Sequence, residues 1–260
     1  MPEHRLHLAS ARILVTNDDG IEAKGLKLLA KIARGLSKDV WIVAPELEQS
    51  GASHSLTLHR PLRVRRLGPR RFAVDGTPTD CVLLAVNQLL RDHRPNLVLS
   101  GINAGANLGE DVTYSGTVAA AMEAALLGLP AIALSMHAID RGKIRWETAE
   151  AHTAKVIRRL VAEPWPHNTL INVNFPDVAA AEVKGMVLAR QGHRKIGGHL
   201  SERVDPRGRA YYWIHPSRDE DPGAHGTDIA AITRHQIALT PIRFDLTNDA
   251  AMKSLRRLFP

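Results

Sequence analysis

The sequence predicts an α/β fold in which a mostly parallel sheet carries helices on both faces. Short apolar runs alternate with longer amphipathic segments over most of the chain. The runs are apolar at successive positions, which is typical of parallel strands buried on both sides. Small polar residues follow three of these runs, at the edge where open α/β sheets bind their ligands. We therefore expect a Rossmann-like arrangement.

The individual elements follow from hydrophobic periodicity and from helix start signals. Apolar runs predict strands at 12–16, 40–44, 96–99, 131–134 and 170–173. Helical patterns lie at 25–36, 77–90, 118–127 and 147–161. Thr77, Pro78 and Asp80 predict the start of the second helix, with Thr77 as its cap and Asp80 three residues later. Residues 56–67 alternate, which predicts an extended segment that pairs with 72–74.

The regular alternation fades after about Lys184. Residues 191–228 are rich in Gly, Pro, His and charge, and we interpret them as a protruding hairpin or arm that packs on another subunit. A mobile surface loop is the alternative. Strand character returns at 237–242, and 250–258 predicts a closing helix. We expect one domain with an N-terminal extension at 1–11, a catalytic core at 12–190, and an arm, returning strand and closing helix at 191–260.

Composition limits the classes of function. The 260 residues, 44% of them hydrophobic, suffice for one large core. A net charge of +7 suits anionic ligands, although a basic solvated surface explains it equally. The single cysteine, Cys81, excludes a disulfide framework and a thiolate metal site, and we expect it to be buried. Neither a membrane-spanning run nor a signal peptide is evident, which predicts a cytoplasmic protein without membrane contact.

Two adjacent carboxylates follow the first strand, in Asn17-Asp18-Asp19-Gly20. Adjacent carboxylates repel each other, and a divalent cation would relieve that repulsion. The alternative is an Asx-type turn that caps the next helix, with Gly20 at positive φ. Loops at 48–53 and 100–109 add hydroxyl and amide oxygens at the same predicted edge. Oxygen ligands suit Mg²⁺ or Mn²⁺ rather than zinc.

A helix rich in small residues begins near Ser115 and Thr117, either of which can cap it. Its free N–H groups would form an anion site, so a neighbouring metal suggests phosphate chemistry. Simple capping without a substrate is the alternative. The sequence lacks both the dinucleotide-binding glycine pattern and the phosphate loop of ATPases. Its adjacent aspartates also differ from the spaced pair of covalent-aspartate phosphatases.

Two further groups leave alternatives open. His54, in the second loop, is either a phosphate-binding or acid–base group or a surface histidine. Five arginines flank the predicted hairpin, where they form either a solvated charged face or a contact with a polyanion. These are Arg63, Arg65, Arg66, Arg70 and Arg71.

Several motifs in order resemble the SurE (survival protein E) family of 5′- and 3′-nucleotidases. The matching stretches are 13–20, 50–53, 76–82, 100–105, 107–109 and 114–123, with a later fragment at 226–228. The resemblance implies a divalent-metal-dependent phosphatase acting on nucleoside 5′-monophosphates and 3′-monophosphates, and for some members on polyphosphate. It also implies a homodimer or homotetramer formed by exchange of C-terminal elements. His54 departs from the family pattern, which has asparagine there.

The resemblance also implies the site residues. It places the ligands of one Mg²⁺ or Mn²⁺ per subunit on Asp18, Asp19, Ser50 and Asn103. It places the phosphate pocket on Asn107, Ser115, Gly116 and Thr117. One of the two aspartates would also assist the attacking water. The alternative hypotheses are a non-catalytic nucleotide- or nucleic-acid-binding module and a dinucleotide-dependent oxidoreductase; nucleic acid is not expected as a partner of the enzyme.

Overall fold

A computed structural model describes residues 6–140, 142–166, 168–196, 200–214, 218–220 and 224–259. The first five residues of the predicted N-terminal extension lie outside the described residues. The rest of that extension contains one turn of 3-10 helix, Leu8–Ser10, which leads directly into the first strand.

The described residues form thirteen strands and six α-helices. The strands are β1 Arg12–Thr16, β2 Asp39–Pro45, β3 Val64–Gly68, β4 Arg71–Val74, β5 Leu97–Ala104, β6 Ala131–Met136, β7 Thr169–Phe175, β8 Met186–Leu188, β9 Arg194–Ile196, β10 Leu200–Val204, β11 Ala210–Ile214, β12 Arg218–Glu220 and β13 Ile237–Arg243. The helices are α1 Lys24–Arg34, α2 Pro78–Leu84, α3 Gly116–Leu126, α4 Trp146–Leu160, α5 Asp228–Thr233 and α6 Asp249–Leu255.

Nine strands make one sheet in the order β3-β4-β2-β1-β5-β6-β7-β13-β8. The six from β4 to β7 are mutually parallel. The edge strand β3 runs antiparallel to β4, and β13 runs antiparallel to β7. The predicted α/β, Rossmann-like and mostly parallel fold is therefore confirmed. Strand order reverses at β1, which lies between β2 and β5, and open sheets of this kind bind ligands at such a point.

Helices cover both faces because the side chains of each strand alternate between them. On β1, Ile13 and Val15 pack in the cluster that includes residues of α1 and α4. Leu14 points to the other face and packs with residues of α2 and α3. Cys81 is buried in this second cluster, as expected. The sheet therefore separates two apolar layers, and its carboxyl edge stays open to polar loops.

The helix start predicted at Thr77 is confirmed. The Thr77 hydroxyl accepts the Asp80 N–H at 3.1 Å, and the Asp80 carboxylate accepts the Thr77 N–H at 2.9 Å. The α-helix ends earlier than predicted, at Leu84, and continues as a π-helical turn over Ala85–Leu89.

Two predicted boundaries were wrong. The third predicted strand continues to Ala104, so Ser100 lies in β5 and not in the following loop. The extended segment predicted at 56–67 is a strand only from Val64, and the residues before it are held by separate contacts with residues of 75–80. One such contact joins the Thr57 N–H to the Asp80 carboxylate at 3.1 Å. The predicted pairing of this segment with 72–74 is confirmed, through β3 and β4.

The C-terminal region contains a hairpin, as one of the two interpretations predicted. Strands β10 and β11 pair only with each other and lie outside the main sheet. The aromatic side chains of Tyr212 and Trp213 are more than half exposed there. Parts of the predicted arm, 197–199, 215–217 and 221–223, lie outside the described residues. Across the described ranges, no helix combines the length and apolar character needed to cross a membrane.

Candidate active site

A cavity of about 460 Å³ opens at the carboxyl edge of the sheet, beside the point where strand order reverses. Six of the predicted site residues line it: Asp18, Asp19, Ser50, Asn103, Asn107 and Ser115. These residues come from four separate loops and strand ends. The cavity is strongly anionic, since Glu48 and Asp111 add two more carboxylates while Lys24 supplies the one basic side chain of its described lining.

Asp18 is buried behind the cavity surface, with 4% of its area exposed. Its Oδ1 accepts a hydrogen bond from the Thr117 hydroxyl. Burial, and then the negative charge of Asp19, raise the pKa of Asp18 to about 6, while the Thr117 hydrogen bond acts in the opposite direction. The pair of carboxylates thus carries a repulsion that a bound cation would relieve.

Asp19 and the turn around it are tied to neighbouring strands. Oδ2 of Asp19 accepts the Ala104 N–H at the end of β5, at 3.1 Å. The Asn17 side chain donates to the Gly20 carbonyl at 2.9 Å, and Gly20 has φ +97°. Of the Asx-type turn considered as an alternative to a metal site, only the positive φ of Gly20 is present, because the Asn17 side chain donates to a carbonyl and no side chain caps α1. The turn presents the pair to the cavity.

The second loop is held against the first and third loops. The Gln49 N–H donates to the Asp18 carbonyl at 2.8 Å, and the Ser53 hydroxyl donates to the Thr113 carbonyl at 2.7 Å. These contacts bring Ser50 to the cavity, where its hydroxyl donates to Glu48 at 2.7 Å. His54 lies outside the cavity lining, and its Nε2 is 2.9 Å from Oε2 of Glu123 on α3.

Asn103 and Asn107 are fixed by different contacts. The Asn103 amide donates to the Gly105 carbonyl at 2.8 Å, which leaves its side-chain oxygen available to the cavity that it lines. The Asn107 amide donates to Ser135 at 2.8 Å. Its backbone is clamped by two asparagines of β7, because the Asn107 N–H donates to Asn174 and its carbonyl accepts from Asn172. This polar layer orients Asn107 from behind.

The predicted phosphate helix begins as expected, with Ser115 as its cap. The Ser115 hydroxyl accepts the Val118 N–H at 3.1 Å, and Ser115 lines the cavity. Gly116 lies against Asp18, where an added Cβ would come within 2.7 Å of the Asp18 Cβ. Thr117 is fully buried and directs its hydroxyl to Asp18. The side chain of Thr117 therefore supports a predicted metal ligand instead of facing the cavity.

Sequence reasoning missed several residues of the site. Asp111 lines the cavity, and its carboxylate lies 3.1 Å from Nε of Arg194, the first residue of β9. Ile144 and Trp146 line it from the start of α4. The asparagines at 172 and 174 carried a signal, because two amides inside an otherwise apolar strand need partners. Asp111 carried a signal as well, because it is a carboxylate in the loop between β5 and α3, whereas Ile144 and Trp146 lie farther along the chain and carried no local signal.

The donor set fits a divalent cation. Two carboxylates, a hydroxyl and an amide oxygen converge on one cavity, and hard oxygen donors suit Mg²⁺ or Mn²⁺. In the part of the chain that the structure describes, no group of three or more His, Cys, Asp or Glu side chains could hold a metal. A site here therefore depends on neutral oxygens beside the two aspartates.

Comparison with known proteins agrees with this arrangement. The sequence profile described as "Survival protein SurE" matches residues 13–198. The chain belongs to the SurE family. Among SurE relatives, a protein of Paramagnetospirillum magneticum named 5′-nucleotidase SurE is 61% identical over 251 residues, covering 96% of each chain. One of Rhodospirillum rubrum with the same name is 55% identical over 255 residues, covering 97% of each chain.

A solved structure of the family has the same fold. The crystal structure of the SurE protein from Aquifex aeolicus superposes with a TM-score of 0.84 at 39% sequence identity. The match covers 96% of this chain and all of that one. The SurE fold therefore extends through the C-terminal region of this chain as well as the core.

Proposed function

We propose that this SurE protein is a divalent-metal-dependent 5′-nucleotidase. It hydrolyses nucleoside 5′-monophosphates, and also 3′-monophosphates, to nucleoside and phosphate, with polyphosphate as a secondary substrate. One Mg²⁺ or Mn²⁺ per subunit is held by Asp18, Asp19, Ser50 and Asn103. The names of its close relatives and its membership of the family support this proposal.

The observation that carries the proposal is the meeting of two kinds of site in one cavity. All four proposed metal ligands line it, and so do Asn107 and the helix cap Ser115. A helix N-terminus binds phosphate through its free N–H groups. The substrate phosphate would thus be held between a cation site and a set of hydrogen-bond donors.

Each part of the cavity has a role in the proposed hydrolysis. A bound divalent cation supplies Lewis-acid polarisation of the phosphoryl group. Asn107 and the N–H groups at the start of α3 bind the phosphate oxygens and stabilise the charge that grows on them. One of the two aspartates, Asp18 or Asp19, orients the attacking water or takes its proton. Thr117 keeps Asp18 in place through its hydroxyl.

The direct test is phosphate release from 5′-AMP and 5′-GMP with Mn²⁺, with Mg²⁺, and with EDTA. We expect release with a cation and none with EDTA. Salt-sensitive retention of nucleic acid without phosphate release would instead support the non-catalytic module. The arginines near the β3–β4 hairpin favour the enzyme, because Arg65, Arg70 and Arg71 already pair with carboxylates on the protein surface.

The proposal includes assembly and location. We propose a homodimer or homotetramer formed through the C-terminal arm. The apolar side chains exposed on β10, β11 and α6 support this assembly. A cytoplasmic location, with no membrane or nucleic-acid partner, completes it. The division of the chain at residues 11 and 190 stays a prediction.

A further inference from the structure

We propose that Trp146 is the stacking platform for the nucleobase, so that this residue selects nucleotides over other phosphate monoesters. The inference rests on the proposed function, because it assigns the base-binding part of the same cavity. It concerns a residue that the motifs around Asp18, Asn103 and Ser115 do not include.

The cavity has two chemically different parts. The carboxylates, Ser50, Asn103, Asn107 and Ser115 form a polar part suited to a cation and a phosphate. Ala23, Gly25, Ile144 and Trp146 form an apolar part. The organic group of a phosphate monoester held in the polar part has room to extend into the apolar part of the same 460 Å³ space. A flat apolar group such as a nucleobase suits the part that contains an indole ring.

Gly25 shows where the indole lies. A Cβ built on Gly25 would come 3.0 Å from Cη2 of Trp146 and 1.9 Å from the Ile102 carbonyl oxygen. The tip of the ring therefore rests on the backbone at the start of α1. The Ile102 carbonyl that Gly25 contacts belongs to β5 and lies two positions before the strand ends at Ala104. The ring is thus beside the proposed metal ligands and not at a remote rim.

The ring is held by apolar packing, and polar contacts tie the helix and the loop beside it to their neighbours. Trp146 is partly buried and packs against the apolar cluster of α1 and α4. Lys31 of α1 and Glu150 of α4 form an ion pair at 2.6 Å. The loop before Trp146 is held by Asp177, which accepts the Ile139 N–H at 2.9 Å and lies 3.4 Å from Nε of Arg145. A platform fixed in advance binds at a lower entropic cost.

Stacking on an indole has a defined consequence for specificity. Every base has an aromatic face, so stacking accepts all bases, whereas selection of one base requires hydrogen bonds to its edge. We therefore expect purine and pyrimidine monophosphates to be substrates. Sugar phosphates that lack a base should be poorer ones, because they leave the apolar part of the cavity unfilled.

The test compares Trp146→Ala, Trp146→Leu and Trp146→Phe, with 5′-AMP and ribose 5-phosphate as substrates. We expect the ratio of kcat/KM for 5′-AMP to that for ribose 5-phosphate to fall about tenfold in Trp146→Ala, mainly through KM for 5′-AMP. Trp146→Leu keeps an apolar side chain and should resemble the alanine variant. Trp146→Phe keeps an aromatic face and should retain most of the ratio. Trp165→Phe, at the opposite edge of the sheet, is the control and should leave the ratio unchanged.

A binding measurement separates this inference from the proposed function. We expect 5′-AMP, but not ribose 5-phosphate, to quench tryptophan fluorescence in the wild type and in Trp165→Phe, and the quenching to disappear in Trp146→Phe. An unchanged substrate ratio in Trp146→Ala, or quenching that persists in Trp146→Phe, would overturn the inference while phosphate release still supports the phosphatase. Failure of the wild type to release phosphate from either substrate would instead overturn the proposed function. In that case, quenching of tryptophan fluorescence by 5′-AMP would still test whether Trp146 contacts the base.

Discussion

Thr117 donates its hydroxyl to Asp18 across 99 positions of sequence. Both side chains are buried, and the Thr117 hydroxyl, with no exposed area, cannot exchange this partner for water. A buried carboxylate needs hydrogen bonds to remain charged, and this one also has Asp19 beside it. Thr117 therefore stabilises the charged form that a metal ligand requires.

Replacing Thr117 by valine tests this role at nearly constant shape. We expect Thr117→Val to lower the free energy of unfolding by about 1–3 kcal/mol, because a buried acceptor loses its donor. We also expect weaker Mn²⁺ binding, since the Asp18 carboxylate then holds its proton more tightly. Chemical denaturation and titration calorimetry measure the two effects.

Thr153→Val is the matched control for this variant. The Thr153 hydroxyl is buried within α4 and donates to the Ala149 carbonyl at 2.6 Å, away from the cavity. This variant should change stability alone. Equal losses of Mn²⁺ affinity in both variants would mean that Thr117 has no particular effect on Asp18.

At the scale of elements, the site depends on how closely α1 approaches β5. Gly25 allows this approach, because it brings the start of α1 against the Ile102 carbonyl, where a side chain has no room. The same contact places Lys24 and the turn of Asp19 beside the end of β5. Helix packing thereby sets the distance between two of the loops that form the cavity.

We expect Gly25→Ala to force α1 away from β5. Overpacking of this kind costs about 1–3 kcal/mol, and the new Cβ would also disturb Trp146. Phosphate release should fall with stability, as measured by turnover and thermal unfolding. Gly68→Ala is the control, because its nearest neighbour would be 3.8 Å away. If Gly25→Ala retained wild-type stability and turnover, the close approach of α1 to β5 would not be required for stability or activity.

The central elements were predictable from sequence and the outer ones were not. Strands such as β1 and β6 contain continuous apolar runs, and α2 and α3 carry caps at Thr77 and Ser115 that accept an N–H from within their own first turn. The direction of β13 could not be predicted, because its partner β7 lies more than 60 residues earlier and an apolar pattern has no polarity. The extension of β5 was missed since Ser100 and Gly101 are typical of loops.

For the whole molecule, one rule about parallel sheets explains why most of the site could be predicted. The carboxyl ends of parallel strands meet at one edge, so Asp18 after β1, Ser50 after β2 and Asn103 at the end of β5 converge. Asp111 lies in the loop after β5 and so falls under the same rule, although it was missed. Trp146 could not be found this way, because its place depends on how α4 packs onto the sheet.

The hairpin β10–β11 leads to a prediction about assembly. Tyr212 and Trp213 are 61% and 63% exposed, which is costly in water unless another chain covers them. We expect the Tyr212→Ser, Trp213→Ser double variant to shift the protein toward smaller species in sedimentation equilibrium. Leu58→Ser, at a side chain that is 85% exposed elsewhere, should leave the assembly unchanged. A wild-type protein that is monomeric at all concentrations would exclude the proposed assembly.

The central claim is that the aspartate pair holds a catalytic cation, and Mn²⁺ titration of Asp19→Asn together with phosphate release from 5′-AMP tests it most directly. The wild type and the exposed control Asp92→Asn should bind one Mn²⁺ per subunit and release phosphate. Asp19→Asn should lose both properties and unfold at a temperature no lower than the wild type, because loss of one charge also relieves the repulsion on Asp18. Full Mn²⁺-dependent turnover in Asp19→Asn would contradict the claim.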